Sequence, residues 1–125
     1  MLIKDLKNCQ HFTAIDNSTL CEFLHPTKQD KDLKIPYSIA HAIVKSGEKT
    51  LPHKLKISSE VYFILEGEGI IYIDDEYAKI HSGQAIYIPP NSKQYIQSTG
   101  NSDLKFLCIM YPMWRLEDEK LIVSK

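Results

Sequence analysis

Leu51-Pro52-His53-Lys54-Leu55-Lys56-Ile57 is the stretch on which the reading of the fold turns. Its apolar and polar residues alternate one by one, the repeat of a half-buried β-strand, because successive side chains leave a strand on opposite faces. Pro52, Lys54 and Lys56 mark the solvent side. Leu51, His53, Leu55 and Ile57 are therefore expected on the inner side, which carries a histidine into an apolar interior. Just downstream, Glu60-Val61-Tyr62-Phe63-Ile64-Leu65 and Ile70-Ile71-Tyr72-Ile73 flank Glu66-Gly67-Glu68-Gly69, a pattern that predicts two strands joined as a hairpin.

The same grammar extends in both directions. Residues 77–80, 85–88, 94–98 and 104–111 read as strands, separated by turn-forming Asp74-Asp75-Glu76, His81-Ser82-Gly83, Pro89-Pro90-Asn91 and Gly100-Asn101-Ser102. Upstream, residues 12–15 and 20–24 flank Asp16-Asn17-Ser18 as a second hairpin, followed by a polar loop over 25–34 and a strand over 37–44. Only residues 114–123 have charges spaced for a short helix. Many short strands at regular intervals predict an all-β barrel or sandwich. A chain of 125 residues suffices for one core without staples. We divide this single domain into an N-terminal hairpin and loop (1–36), a barrel core (37–111) and a C-terminal tail (112–125).

Several strands are apolar on both faces: Val61, Phe63 and Leu65 oppose Tyr62 and Ile64, and Leu107 and Ile109 oppose Phe106, Cys108 and Met110. One face fills the barrel. The other calls for a cover, for which a homodimer and an intramolecular second sheet both qualify.

Bulk properties narrow the function. The net charge is -1 and Arg115 is the only arginine, so a nucleic-acid backbone is not an expected partner. No apolar run is long enough to span a bilayer, so no membrane partner is expected. Cys9, Cys21 and Cys108 lack metal-knuckle spacing, and their odd number suits reduced thiols. The first residues lack the apolar run of a signal peptide, and the expectation is a cytoplasmic protein.

The spacing of a few residues resembles the cupin superfamily. Its first motif, G(X)5HXH(X)3–4E(X)6G, is followed by Gly47, His53, Leu55 in the second His position, Glu60 and Gly67. Its second motif, G(X)5PXG(X)2H(X)3N, is followed by Gly83 and Pro89, with Asn91, Gln94 and Ser98 in the Gly, His and Asn positions. The resemblance implies a double-stranded β-helix, or jelly-roll barrel, with a ligand pocket inside. It also implies a divalent metal held by three His and one Glu. Here His53 and Glu60 match, while Leu55 and Gln94 replace two imidazoles, so the carried-over metal set is His53, Glu60 and Gln94. Iron, manganese, nickel or zinc with several waters fits such donors, and a closed, tight site does not. The alternative is a polar cluster that needs no ion, in which a buried Glu60 is either paired or protonated.

His41 shares a strand face with Tyr37, Ile39 and Ile43 and is placed in the pocket, as are Tyr62 and Cys108. The expected pocket is thus His53, Leu55, Glu60, Tyr62, Gln94, Cys108 and His41, with His53 and Glu60 as catalytic candidates. Gly67 and Gly69 are turn glycines rather than a phosphate loop, and no nucleophile elbow is present. Two functions follow from the resemblance. One is a module that binds a small polar metabolite. The other is a metal-dependent enzyme, either a sugar-phosphate isomerase or epimerase, in which Glu60 or His53 is the general base, or a dioxygenase, which the missing imidazoles disfavour.

Overall fold

The computed structural model describes residues 1–122. In chain order its strands are β1 (Phe12–Thr13), β2 (Thr19–Leu24), β3 (Ser38–Val44), β4 (His53–Leu55), β5 (Ser59–Glu66), β6 (Glu68–Ile73), β7 (Glu76–His81), β8 (Ala85–Ile88), β9 (Gln94–Ser98), β10 (Leu104–Tyr111) and β11 (Glu119–Leu121). They form two antiparallel sheets, one ordered β1-β2-β3-β10-β5-β8 and the other β11-β4-β9-β6-β7. The period-two burial of β10 shows why. Leu104, Phe106, Cys108 and Met110 are buried, and the residues between them face outward. The inner faces meet in a core that includes Val44, Leu55, Ile64, Ile71, Ile88, Ile96 and Phe106. This is the expected all-β jelly-roll barrel. An intramolecular second sheet covers the inner face of the first, while on the outer face Phe63 and Leu65 are exposed and Cys21 and His41 are buried.

Three local readings are corrected. Residues 60–65 and 70–73 are strands but not a hairpin, because β5 pairs with β10 and β8 whereas β6 pairs with β7 and β9. The chain changes sheets at Gly67, whose φ is +86°, and a Cβ there would lie 2.7 Å from the carbonyl oxygen of Asp103. A short glycine turn thus serves a barrel corner as readily as a hairpin. The strand at 51–57 is shorter than its alternation suggests. His53 and Leu55 are buried, but Leu51 and Ile57 lie beyond the strand ends and are exposed.

Among the described residues the tail forms no α-helix. Leu116–Asp118 make one 3-10 turn, after which β11 adds to the edge of β4; position 123 of the expected helix lies outside the described residues. The edge of β4 offers ladder hydrogen bonds that an isolated short helix cannot match. Asp118 anchors the segment by accepting from the backbone N–H of Ile57 at 2.7 Å and of Ser58 at 3.1 Å. Burial alone would raise its carboxyl, but these donors hold it below the usual range.

The expectation of reduced thiols fails for two of three cysteines. Cys9 and Cys21 are joined as a disulfide with Cα atoms 6.0 Å apart, and only Cys108 is free. Pairing of β1 with β2 brings these segments together, a proximity that an odd cysteine count does not reveal. No helix among the described residues is long and apolar enough to cross a membrane.

Asp118→Ala removes two charge-assisted bonds and strands two amides. Urea denaturation should show a loss of about 2–4 kcal/mol. A loss below about 0.5 kcal/mol, the size expected of an ordinary surface change, would mean that this carboxylate does not anchor the tail.

Candidate functional site

Between the sheets lies a cavity of about 220 Å³ whose walls come from widely separated segments. Ala40, Ala42, Glu60, Tyr62, Phe106 and Cys108 reach it from the first sheet. His53 reaches it from β4, Asp16 and Ser18 from the N-terminal turn, and Trp114 and Glu119 from the tail.

At its floor, a hydrogen-bonded chain crosses from one sheet to the other. The Tyr62 hydroxyl on β5 donates to Gln94 Oε1 on β9 at 2.7 Å, and Gln94 Nε2 donates to Glu60 Oε1 at 3.0 Å. Glu60 and Gln94 are 2% and 1% exposed. Burial pushes the Glu60 carboxyl up to about 8, against the opposing effect of the Gln94 bond, and the nearby Glu119 and Asp16 charges add to the rise. Burial therefore favours the protonated form of Glu60, in which it is a hydrogen-bond donor. Burial also drives the Tyr62 hydroxyl and the Cys108 thiol well above their ordinary ranges, so both stay neutral.

His53 is 4% exposed. Its Nδ1 lies 2.9 Å from the Leu51 carbonyl oxygen, which can only accept, so Nδ1 carries the hydrogen and Nε2 is left as an acceptor. Asp16 Oδ2 stands 3.8 Å from Nδ1 and is placed to stabilise positive charge on the ring. Asp16 is itself oriented by the backbone N–H and hydroxyl of Ser18, at 3.0 and 2.6 Å. On β11, next to β4, Glu119 accepts from the Trp114 indole N–H at 2.8 Å, and burial raises its carboxyl. Glu22 is also raised by burial, to about 7, with Lys28 opposing the rise, and its Oε1 is buried with no hydrogen-bond partner. Lys28 Nζ lies 4.0 Å from Glu22 Oε2 and 4.5 Å from the Trp114 ring centroid.

The structure thus gathers His53, Glu60, Tyr62 and Cys108 around one cavity. Gln94 stands behind Glu60 rather than at the cavity wall, and Leu55 packs in the core. His41 is the exception. It faces the outer side of β3, where its Nδ1 lies 2.9 Å from His11 Nε2. Sharing a face with Ile39 and Ile43 was a sound inference, but strand alternation cannot say which face looks inward. Asp16, Glu22 and Glu119 escaped the sequence reading. Asp16 looked like a turn residue, and Glu119 sits in the charged run Glu117-Asp118-Glu119-Lys120, so no local signal distinguishes either.

The donor set does not fit the three-His, one-Glu metal site. Leu55 offers no donor, and both polar atoms of Gln94 are engaged within the protein. Glu60 favours its protonated form. Among the described residues, no three His, Cys, Asp or Glu side chains are arranged as they stand to hold an ion.

The family model of the cupin domain matches residues 40–110, more than half of the chain. The chain belongs to this family. A protein of Methanocaldococcus jannaschii, uncharacterized protein MJ1618, is 43% identical over 107 residues, or 86% of this chain and 83% of that protein. An oxalate-binding protein of Thermotoga maritima is 33% identical over 58 residues, or 46% of this chain and 48% of that protein. Among solved structures, a Streptomyces nucleoside dehydratase, PAC13, with uridine superimposes with a TM-score of 0.78 at 15% identity, covering 98% of this chain and 92% of that one. At such identity the likeness is one of fold.

Glu60 should govern how stability varies with pH. Its folded value, about 8, lies above the ordinary 4.5. Its contribution is complete below the unfolded value and is lost as pH rises to the folded one, at up to about 1.4 kcal/mol per pH unit. Denaturation midpoints measured from pH 5 to 8 should fall more steeply for the native protein than for Glu60→Gln. Parallel curves would show that residue 60 ionises normally.

Proposed function

We propose that this cupin binds a small, uncharged, hydroxyl- or carbonyl-bearing metabolite in its barrel, without a tightly held metal. The reading is carried by the buried Glu60 carboxyl, which favours its protonated form, at a cavity whose lining otherwise includes the acceptors His53 Nε2 and the Asp16 and Glu119 carboxyls. A ligand rich in hydroxyl donors satisfies these acceptors, and a carbonyl on it can accept from Glu60. Tyr62, Phe106 and Trp114 supply apolar walls.

An anionic ligand fits poorly. Among the described residues that line the cavity, Lys28 is the only Lys or Arg, and it is already set against Glu22. This argues against oxalate, despite the partial relative that binds it, and against a sugar phosphate. The likeness to a uridine-holding barrel supports an uncharged, hydroxylated ligand, through the fold alone.

A second reading, a metal-independent enzyme, is favoured by the pairing of His53 with Glu60. Nε2 of His53 is placed to accept a proton from carbon or oxygen, with Asp16 steadying the imidazolium. Glu60 is placed to donate one, so a proton transfer or an elimination needs only these groups. We also infer that two copies associate through the outer face around edge strand β8, where Phe63, Leu65 and Tyr87 are exposed.

A thermal-shift screen separates these readings. Neutral polyols, nucleosides and keto compounds should raise the melting temperature of the native protein by several degrees, and oxalate and sugar phosphates should not. Chelation with EDTA should leave the shift unchanged, and His53→Ala should abolish it. Stabilisation only by anions, or only after a divalent ion is added, would overturn the proposal. For the dimer, sedimentation velocity of the native protein should give twice the chain mass, and Phe63→Glu should give the monomer.

A further inference from the structure

The outer face of the six-stranded sheet holds a second cluster of reactive side chains, which the barrel site does not use. In the register of β1, β2 and β3, Phe12 stands opposite Leu20 and Cys21 stands opposite His41. Residues directly opposite on antiparallel strands share a face, and neighbours along a strand alternate. Leu20 lines the cavity, so Cys21 and His41 point away from it. His11, next to Phe12, continues the row. Cys9, ahead of β1 and outside the ladder, reaches back to the sulfur of Cys21.

A pair of sulfurs and a pair of imidazoles therefore lie beside each other on this face, linked by the register of Cys21 with His41. The Cys9 and Cys21 Cα atoms are 6.0 Å apart. His11 Nε2 lies 2.9 Å from His41 Nδ1, and the rings meet edge to face with centroids 5.1 Å apart. Cys21 and His41 are buried, while Cys9 and His11 are half-buried, so solvent reaches the cluster from the side of the N-terminal segment.

We propose that Cys9, His11, Cys21 and His41 form a two-thiolate, two-imidazole site for Zn2+ or a similar thiophilic divalent ion, available when the disulfide is reduced. A tetrahedral zinc with bonds of about 2.3 Å to sulfur and about 2.0 Å to nitrogen separates its two nitrogens by about 3.3 Å and its two sulfurs by about 3.8 Å. The imidazole nitrogens need separate by only a few tenths of an ångström from 2.9 Å, with the rings turning so that both lone pairs face the ion. The sulfurs separate once their bond is cut, and the movement falls on Cys9, which no strand holds. The disulfide is the metal-free form of the same cluster, since a cystine sulfur is not a thiolate ligand.

The interconversion balances. A dithiol reductant passes two electrons and two protons to the Cys9 and Cys21 sulfurs and becomes a disulfide itself, and metal binding then releases the two thiol protons to solvent. Either cross-link pins residues 9–21, the segment that brings Phe12, Asp16 and Ser18 to the cavity wall. The site does not depend on what the barrel binds.

The test uses the whole protein, reduced with a phosphine under argon, titrated with Co2+ and then Zn2+. One equivalent of cobalt should give the intense thiolate charge-transfer and tetrahedral visible bands, and one equivalent of zinc should bleach them. Cys9→Ser and Cys21→Ser should each at least halve the charge-transfer band and the double variant should abolish it, His11→Ala should weaken binding at least tenfold, and His53→Ala should leave it intact. The oxidised protein should show no bands. A reduced native protein without thiolate bands overturns the proposal, as do bands indifferent to His11→Ala and His41→Ala, or bands lost with His53→Ala. Because the native spectrum alone decides thiolate ligation, a poorly folded variant cannot hide the result.

Discussion

The carboxyl of Glu60, buried at the centre of the barrel and held from the opposite sheet by Gln94, is the constraint around which the interior is organised. A carboxylate in apolar surroundings must be paired with a cation, bound to a metal, or protonated. Gln94 is neutral and Leu55 is apolar, so the first two routes are closed on that side of the barrel. The remaining route leaves a neutral acid. The amide suits this state, because its oxygen already accepts from Tyr62 and its nitrogen donates to one carboxyl oxygen.

The acidic rim is built differently from the floor. Asp16 and Glu119 arrive from segments with little or no ladder of their own, a turn between β1 and β2 and the strand that follows a 3-10 turn. Their positions depend on side chain-to-backbone bonds such as those of Asp118 and Ser18. Segments held by so few contacts are the ones expected to open first, which suits the entrance of a pocket otherwise enclosed by sheet. The cross-link between Cys9 and Cys21 acts on the same entrance, because the loop it closes carries Asp16.

Several features were legible without coordinates. His53 and Leu55 point inward because lysines flank them, and Glu60 lies seven residues on, at a spacing shared with a known family. What sequence could not supply is the partner of each strand. Gly67 reads as a hairpin turn in either topology, and only the clash with Asp103 shows that it is a corner. His41 sits in an unambiguous strand, yet both faces of β3 are apolar, so alternation leaves its direction undecided.

The amino-acid order by itself determined an all-β domain, most of its strands, and a His–Glu pair with two imidazoles missing, because period, turn chemistry and motif spacing are local properties written along the chain. The tertiary structure alone decided that Asp16 and Glu119 join that pair, that His41 turns away to meet His11, and that Cys9 meets Cys21. Those meetings rest on strand register and sheet order, which are set by packing between residues tens of positions apart and leave no mark on any short stretch of sequence.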